Sequence, residues 1–394
     1  MTSPTSADLQ AAWNEGARAL RESRPLDAIQ AFEVIAAAGQ ATAAVWVAMA
    51  LAHKSAGDVA GQLAALERAR AADPKDLRAL IMTADHYAEA GDARAASSFY
   101  NAVVQVAVAA GTVEKAMEAE VGRAHHMRLK YAAEYEAYMS EALGKLGLDR
   151  PEARRGRRAV DLLLGKAQLY LQQPRYFYFP ELPNIEWADR AAFPWLDKVE
   201  AATDRIRAEL KQVLEEDAAF APYVEAEANR PFFDDHGMLG NPNWSAFYLV
   251  KGGRRIEENI ARCPSVMEAL DSAPLCEIPG RTPSVLFSLL RPGAHIAPHH
   301  GFMNGRYICH LPLIVPGECA MRVGAETRPW TEGQACVFDD SIEHEAWNRH
   351  PDRLRVVMIF DVWRPELSGE ERQIIASILN AVDAYGGRPV PATD

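Results

Sequence analysis

Hydrophobic and polar positions follow two different patterns along the chain. From about Asp8 to Ala110, apolar residues recur every three or four positions, the period of a helix buried on one face. From Ser284 to Trp363, short runs of apolar and β-branched residues alternate with Gly, Pro, Asn and Asp, which is typical of successive antiparallel strands. The pattern predicts a multidomain α+β protein, with a helical N-terminal part and a C-terminal β-domain.

The helical part contains a repeat. The tripeptide Ala56-Gly57-Asp58 recurs 34 residues later as Ala90-Gly91-Asp92. A 34-residue period of paired helices resembles the tetratricopeptide repeat, in which each pair buries its apolar face against the next. We therefore expect an all-α helical-repeat solenoid over residues 1–172. Such a solenoid either packs only on the next domain or binds a peptide on its concave surface, and the fold alone does not choose between these roles.

The composition changes at Gln173-Pro174. The residues that follow are aromatic, Pro-rich and non-periodic, as expected of an extended segment that docks one domain on another. Residues 173–394 are therefore predicted to form the second domain. Within it, the strand-like runs that begin at Ser284 predict a small β-barrel.

Charge and cysteine content exclude some partners. Residues 173–394 hold 22 lysines and arginines against 33 aspartates and glutamates, which argues against a nucleic acid or an anionic membrane surface as partner. No apolar run approaches the roughly 20 residues that cross a bilayer. The five cysteines form no CxxC pair, which favours reduced thiols and predicts a cytoplasmic protein.

Histidines are concentrated in the predicted barrel, where six of the eleven lie. His299 and His344 each stand where a strand-like run meets a loop, so a barrel could bring them together on one rim. Neutral imidazoles suit Fe, Zn, Cu or Ni, and a structural pair of histidines is the alternative interpretation. The carboxylate that usually stands two residues after the first histidine of an oxygenase is replaced by Gly301. Spacing alone therefore gives only a weak metal signal.

Arg355 opens the last predicted strand among apolar neighbours. A buried guanidinium needs a partner, and a small dicarboxylate offers the planar, bidentate partner that it prefers. The alternative is an internal ion pair with Asp339, Asp340 or Asp361. Motifs of zincins, serine hydrolases and nucleotide-binding loops are absent from the sequence.

Several ordered motifs together resemble a known family. They are ELPNIEWADRAAFPWL, GNPNW, GGRRIEENIARCPSV, FSLLRPGAHIAPHHG, Asn304-x-Arg306, FDDSIEHEAWN and the run from Arg355 to Leu367. From about Tyr176 to Leu367, the chain resembles the aspartyl/asparaginyl β-hydroxylases, which are Fe(II)- and 2-oxoglutarate-dependent oxygenases. The family implies a double-stranded β-helix of the jelly-roll or cupin type. It also uses two histidines and a glycine at the metal, which agrees with His299-His300-Gly301.

The resemblance implies roles for individual residues. His299 and His344 would be the iron ligands, and Arg355, assisted by Ser288, would hold the distal carboxylate of 2-oxoglutarate. His310 would lie against the cosubstrate, and Arg306 near the cosubstrate or the substrate. The carboxylates considered as supports for the iron are Asp339, Asp340 and Glu343. Family members that act on folded extracellular domains carry an arginine where this chain has Ile308, which puts that type of substrate in doubt.

These features predict a 2-oxoglutarate-dependent dioxygenase that hydroxylates a peptide or protein side chain and releases succinate and CO₂. Asp or Asn β-carbons are candidates, and the peptide would lie along a groove between the solenoid and the barrel. One alternative is a hydroxylase of a small molecule or acyl chain. The other is a non-catalytic helical-repeat scaffold with a vestigial barrel.

Overall fold

The computed structural model describes residues 4–215, 219–224, 237 and 239–385. It divides into two compact units, Met1–Lys166 and Ala167–Asp394. The predicted domain boundary, between residues 172 and 173, lies six residues after the start of the second unit.

The N-terminal unit is built from eight α-helices. Six of them form three helical hairpins, α1 with α2, α3 with α4, and α5 with α6, and α7 packs against α6. Their bounds are α1 Ser6–Arg21, α2 Pro25–Ala37, α3 Ala43–Ser55, α4 Val59–Ala72, α5 Leu77–Glu89, α6 Ala93–Ala110, α7 Glu118–Leu143 and α8 Arg154–Leu163. The predicted helical-repeat fold of this unit is confirmed.

The repeated Ala-Gly-Asp tripeptide joins the two helices of a hairpin. Gly57 and Gly91 have φ of 76° and 79°, a backbone conformation that a side chain disfavours. The aspartate that follows each glycine caps the next helix: Asp58 accepts a hydrogen bond from the Gly61 amide, and Asp92 caps α6 in the same way at the same distance, 2.9 Å. Each copy of the tripeptide therefore ends one helix and starts the next.

The C-terminal unit contains two antiparallel sheets. The larger has the order β1-β2-β4-β11-β6-β9, with β3 paired to β2, and the smaller has the order β5-β10-β7-β8. The strands of this unit are β1 Ala221–Pro222, β2 Trp244–Lys251, β3 Arg254–Arg255, β4 Val285–Leu290, β5 His295–His299, β6 Arg306–Ile314, β7 Cys319–Val323, β8 Glu326–Pro329, β9 Cys336–Phe338, β10 His344–Asn348 and β11 Arg355–Trp363. This arrangement confirms the predicted double-stranded β-helix in an α+β protein.

Apolar cores cover both faces of the larger sheet. One core fills the space between the two sheets and includes Ile308, Phe338 and Ile359. The other lies on the opposite face, where residues such as Phe287 and Phe360 pack against helices. Those helices and the remaining ones of the unit are α9 Leu196–Ala201, α10 Thr203–Leu214, α11 Glu257–Arg262, α12 Pro264–Leu270 and α13 Gly369–Tyr385. Because successive strand residues face opposite ways, every second residue of β4, β6 and β11 points between the sheets.

Asn304, which is fully buried, fastens the extended segment before the barrel. Its amide donates to the Phe179 carbonyl at 2.8 Å and accepts from the Phe179 amide at 2.7 Å. It also donates to the side chain of Gln172 at 3.0 Å. The aromatic, Pro-rich segment is thus held to the barrel by one buried side chain.

Among the described residues, no helix combines the length and the apolarity needed to cross a membrane.

Candidate active site

A cavity of about 570 Å³ opens between the two sheets. Its lining includes His299, His344, Arg306, His310 and Arg355. Ser288, the sixth predicted site residue, lines the same cavity. The fold therefore brings all six residues from β4, β5, β6, β10 and β11 to one place.

His299 ends β5 and His344 begins β10, and the two residues face each other in the antiparallel ladder. Their ring centroids are 4.1 Å apart. Each Nδ1 lies near the carbonyl oxygen two residues earlier, at 2.8 Å from Ala297 and 3.0 Å from Ile342. A carbonyl can only accept, so each Nδ1 carries the proton and donates it. Both Nε2 atoms are consequently left with lone pairs that can bind a metal.

Burial keeps both imidazoles neutral. It lowers the pKa of His299 to about 3 and the pKa of His344 to about 4. A metal ligand must be unprotonated, so this pair is ready to bind at physiological pH. Within the part of the chain that the structure describes, no group of three or more His, Cys, Asp and Glu side chains is arranged to hold a metal. The described residues of the site therefore present two imidazole nitrogens, the Nε2 atoms of His299 and His344, that could bind a metal.

The space beside Gly301 is filled by a carboxylate. A Cβ atom at Gly301 would collide with the carboxyl group of Asp340. In a two-histidine, one-carboxylate site, the side chain at position 301 would be the third ligand. Here the carboxylate of Asp340, from the connection between β9 and β10, fills that space. Oδ2 of Asp340 accepts from Arg306 at 2.9 Å, whereas its buried Oδ1 has no hydrogen-bond partner. An unsatisfied buried acceptor next to the histidine pair is suited to a metal-bound water.

Of the three candidate supporting carboxylates, only Asp340 lines the cavity. Asp339 points the other way and forms a fully buried ion pair with Arg364 at 2.9 Å. Burial raises the pKa of Asp339 to about 6. Glu343 pairs with Arg322 at 2.8 Å.

Arg355 is a buried cation with no carboxylate partner among the described residues. Its side chain is 1% exposed, and it makes only long contacts to Ser288, 3.3 Å to the carbonyl and 3.5 Å to Oγ. The guanidinium lies over the Trp330 ring, 4.5 Å from its centroid, and Nε has no partner. Burial lowers the pKa of Arg355 to about 10. The alternative of an internal ion pair with Asp339, Asp340 or Asp361 is wrong, because all three carboxylates pair with other arginines.

The surroundings of Arg355 supply further unused polar atoms. Nδ1 of His310 is buried and has no hydrogen-bond partner. Burial lowers the pKa of His310 well below its ordinary value. Ser288 accepts from Trp244 Nε1 at 3.1 Å, a contact that the sequence reasoning missed. A free guanidinium Nε and a free imidazole nitrogen in one cavity are complementary to a small polyanion.

Arg306, in contrast, is already paired. Its guanidinium contacts Asp340 and Asp361, which are both buried. Burial by itself would lower the pKa of Arg306, but the two carboxylates outweigh it and raise that pKa. Sequence reasoning named Asp361 only as a partner for Arg355. The register of β6 and β11 explains why Asp361 pairs with Arg306. Trp363 lies directly opposite Arg306, and Asp361, two residues earlier on the same face of β11, lies diagonally across from Arg306.

Comparison with known proteins agrees with this geometry. The model of the aspartyl/asparaginyl β-hydroxylase family matches residues 200–365, which include the histidine pair and Arg355. Residues 200–365 are therefore similar to the aspartyl/asparaginyl β-hydroxylases.

The curated relatives of this chain differ in what their names say they modify. An ornithine lipid ester-linked acyl 2-hydroxylase of Rhizobium tropici is 36% identical over 190 residues, 48% of this chain and 63% of that protein. Human aspartyl/asparaginyl beta-hydroxylase is 37% identical over 147 residues, 37% of this chain and 19% of that protein. Human aspartate beta-hydroxylase domain-containing protein 2 is 31% identical over 209 residues, 52% of this chain and 54% of that protein. The chain thus spans less than two thirds of each of these relatives.

The helical unit was compared with solved structures. The crystal structure of PcrH from Pseudomonas aeruginosa aligns with 32% of this chain and 94% of its own, at 18% identity and a TM-score of 0.30. The helical-repeat fold of residues 1–166 is shown by the helix pairs and capping contacts described above.

Proposed function

We propose that this protein is an Fe(II)- and 2-oxoglutarate-dependent hydroxylase. The observation that carries the proposal is that one cavity contains both a neutral histidine pair and a buried arginine. The two histidines present Nε2 lone pairs, and Arg355 has no carboxylate partner among the described residues. An isolated buried charge is costly, so a chain that retains one without a partner is suited to binding an anion there.

The residues present fit the metal. His299 and His344 would hold it through Nε2, because the Ala297 and Ile342 carbonyls fix the opposite tautomer. Asp340 would accept from a water on the metal through its free Oδ1. Imidazole ligands alone do not select iron over zinc, copper or nickel, so the choice of Fe(II) rests on the similarity to the aspartyl/asparaginyl β-hydroxylases.

The residues also fit the cosubstrate. Arg355 would take the distal carboxylate of 2-oxoglutarate as a planar, bidentate partner, with Ser288 Oγ beside it. His310 would contact the same ligand through its unpaired Nδ1. Trp244 fixes the Ser288 hydroxyl by donating to it.

Bound iron with 2-oxoglutarate supplies O₂ activation, in which one oxygen atom enters the product hydroxyl and the other enters succinate as CO₂ leaves. The chain's own residues bind, orient and exclude water. The indole of Trp244 lies 6.1 Å from the ring of His299, and Phe338 lies 5.7 Å from the ring of His344. These apolar rings limit the access of bulk water to the two histidines.

Two substrate classes follow from the names of the relatives. A peptide or protein side chain, including an Asp or Asn β-carbon, is supported by the human β-hydroxylase and by the helical repeats, which would supply a peptide-binding surface. A small molecule or an acyl chain is supported by the Rhizobium relative. A non-catalytic scaffold is disfavoured because the histidine pair, Arg355 and the unpaired polar atoms occur together. A cytoplasmic location is part of the proposal and is supported by the five cysteines, all of which are free.

The test is an anaerobic titration of the full chain with Fe(II) and 2-oxoglutarate. Wild type is expected to develop the weak visible band of an iron–2-oxoglutarate chelate, and His299→Ala is expected to lose it. His125→Ala, on an exposed helix of the other unit, is the control and should keep the band. A folded wild type that shows no band and is stabilised by neither ligand would overturn the proposal.

A further inference from the structure

Two connections between strands flank the histidine pair. Residues 300–305 follow His299 at the end of β5, and residues 339–343 precede His344 at the start of β10. Neither connection belongs to a strand, so the ladder between β5 and β10 does not by itself hold them in place. Contacts from elsewhere in the chain must therefore fix how far apart the two connections lie.

One short extended segment, residues 172–175, contacts both connections through its backbone. The Gln173 amide donates to the Ser341 carbonyl at 2.7 Å. Two residues later, the Arg175 amide donates to the Gly301 carbonyl at 2.8 Å. The segment therefore lies across the two connections and forms a backbone hydrogen bond with each of them.

The side chain of Gln172 joins the same two connections. Its Nε2 donates to Oδ2 of Asp339 at 2.7 Å, and its Oε1 accepts from Nδ2 of Asn304 at 3.0 Å. Nε2 also donates to the Pro183 carbonyl at 3.0 Å. Asp339 and Asn304 are both fully buried. The two ends of one carboxamide thus bind one connection each.

Backbone groups determine which way this carboxamide points. The Phe179 amide can only donate, so the atom of Asn304 that accepts from it is Oδ1. Nδ2 of Asn304 must then donate, which makes Oε1 of Gln172 the acceptor and turns Nε2 toward the Asp339 carboxylate. A glutamate at position 172 would set two carboxylates against each other, whereas a methionine would have the length of glutamine without its hydrogen bonds.

The spacing of the two connections matters because the described residues of the site present two imidazole nitrogens to a metal. A site with two protein ligands binds tightly only when both nitrogens are held at the right separation, and supporting hydrogen bonds fix that separation. The position of Asp340 depends on the same spacing, since the Gly301 amide donates to the Asp340 carbonyl at 2.5 Å.

We infer that Gln172 is a positioning residue of the metal site, which sets the distance between the connection that follows His299 and the connection that precedes His344. The inference rests on the proposed function, in which this histidine pair binds the metal. Gln172 lies outside residues 200–365, the region that the family model matches. The metal site of this chain thus depends on a residue that the matched region does not contain.

Three variants of the full chain test this role. Gln172→Met keeps the length of the side chain and removes its hydrogen bonds to both connections. Gln172→Glu keeps an acceptor for Asn304 and places a second carboxylate against Asp339. Gln173→Met changes the neighbouring glutamine, whose side chain is exposed, and is the matched control.

The first measurement is Mn(II) affinity, titrated under conditions in which urea unfolding shows every variant to be folded. Gln172→Met and Gln172→Glu are expected to bind Mn(II) about tenfold more weakly than wild type, and Gln173→Met should bind as wild type does. A residue with only a structural role would lower the free energy of unfolding and leave the affinity of the folded protein unchanged. Equal dissociation constants in wild type and Gln172→Met would overturn the inference.

The second measurement needs no metal. In NMR spectra of the metal-free chain, the Nδ1–H groups of His299 and His344 should exchange slowly with water, because both donate to backbone carbonyls. Gln172→Met should accelerate this exchange by at least about tenfold, and Gln173→Met should leave it unchanged. His299→Gln and His344→Gln assign the two resonances.

The outcomes separate this inference from the proposed function. If wild type binds Mn(II) but forms no iron–2-oxoglutarate chelate, the proposed cofactors fail, and weaker Mn(II) binding by Gln172→Met still supports the positioning role. If the chelate forms and Gln172→Met matches wild type in both measurements, only the positioning role fails. If wild type binds no Mn(II), the exchange rates decide: faster exchange in Gln172→Met supports the role, and equal exchange overturns it.

Discussion

His299 and His344 are direct partners across the β5–β10 ladder, and their rings lie 4.1 Å apart although 45 residues separate them in the chain. Two imidazoles this close cannot both be protonated without mutual repulsion. Burial acts in the same direction, since it lowers the pKa of each ring. The pair therefore stays neutral in the folded protein at the pH where the histidines of the unfolded chain become protonated.

The histidine pair predicts an acid-sensitive stability in the metal-free protein. The unfolded chain binds protons on both rings below a pH of about 6.5, whereas the folded pKa values are about 3 and about 4. The contribution of the pair is thus fully present above that pH and is lost as the pH falls toward 4. At pH ~5 the loss is on the order of 2–4 kcal/mol.

Urea unfolding at pH 7.5 and pH 5 measures this effect. The double variant His299→Gln/His344→Gln should lose less stability between these conditions than wild type does. His125→Gln, at an exposed position, should behave as wild type. Burial raises the pKa of Asp339 to about 6, so Asp339 stabilises the folded protein as the pH falls, opposite to the histidine pair. The decisive quantity is therefore the difference in pH dependence between the variants and wild type. Equal slopes in wild type and the double variant would contradict the prediction.

Two buried arginines are expected to respond oppositely to the same substitution. In the part of the chain that the structure describes, Arg355 has no carboxylate partner. Arg355→Met then removes an uncompensated charge and should raise the free energy of unfolding by about 1–3 kcal/mol. It should also abolish stabilisation by 2-oxoglutarate. Arg364 is paired with Asp339, so Arg364→Met leaves a buried carboxylate alone and should lower the free energy of unfolding by about 3–5 kcal/mol. Thermal unfolding with and without 2-oxoglutarate distinguishes the two, and a destabilised Arg355→Met variant would count against this assignment.

Gly301 has no room for a side chain while Asp340 stays in place. Gly301→Ala should displace Asp340 from Arg306 and lower the free energy of unfolding by about 1–3 kcal/mol. Gly317→Ala, where a Cβ meets nothing within 4 Å, is the matched control. Metal affinity, measured by Mn(II) titration, should fall in Gly301→Ala only. An aspartate at position 301 should bind Mn(II) as a third ligand only when Asp340→Ala makes room for it. If Gly301→Asp alone binds Mn(II) more tightly than wild type, Asp340 does not block position 301.

Asn304 should matter for folding more than any exposed asparagine. Asn304→Asp replaces the donating Nδ2 with an acceptor, which removes the hydrogen bonds to both the Phe179 carbonyl and the Gln172 side chain. The expected loss is about 2–4 kcal/mol. Asn14→Asp, on an exposed face of α1, should change the free energy of unfolding by no more than about 0.5 kcal/mol. Limited proteolysis should detect release of the segment around Phe179 in the Asn304 variant, and an uncut segment would contradict its anchoring role.

Local signals in the sequence were sufficient for the helical repeats. Gly57 and Gly91 adopt positive φ, and the aspartates that follow cap the next helices, because both effects depend only on residues within one turn. The alternation along β6 and β11 likewise determined that Arg306, Ile308 and His310 share one face. Family resemblance then selected His299, His344, Arg355 and Ser288 as a set.

The sequence by itself determined the residue types of the site and the faces on which they lie, since helix and strand periods are properties of the local backbone. Only the tertiary structure decided which arginine forms an ion pair with which aspartate. Asp339 and Asp340 are adjacent in sequence, yet one pairs with Arg364 and the other with Arg306, while Arg355 is left alone. Ion pairing depends on distance and burial across strands far apart in the chain, and no local pattern encodes either quantity.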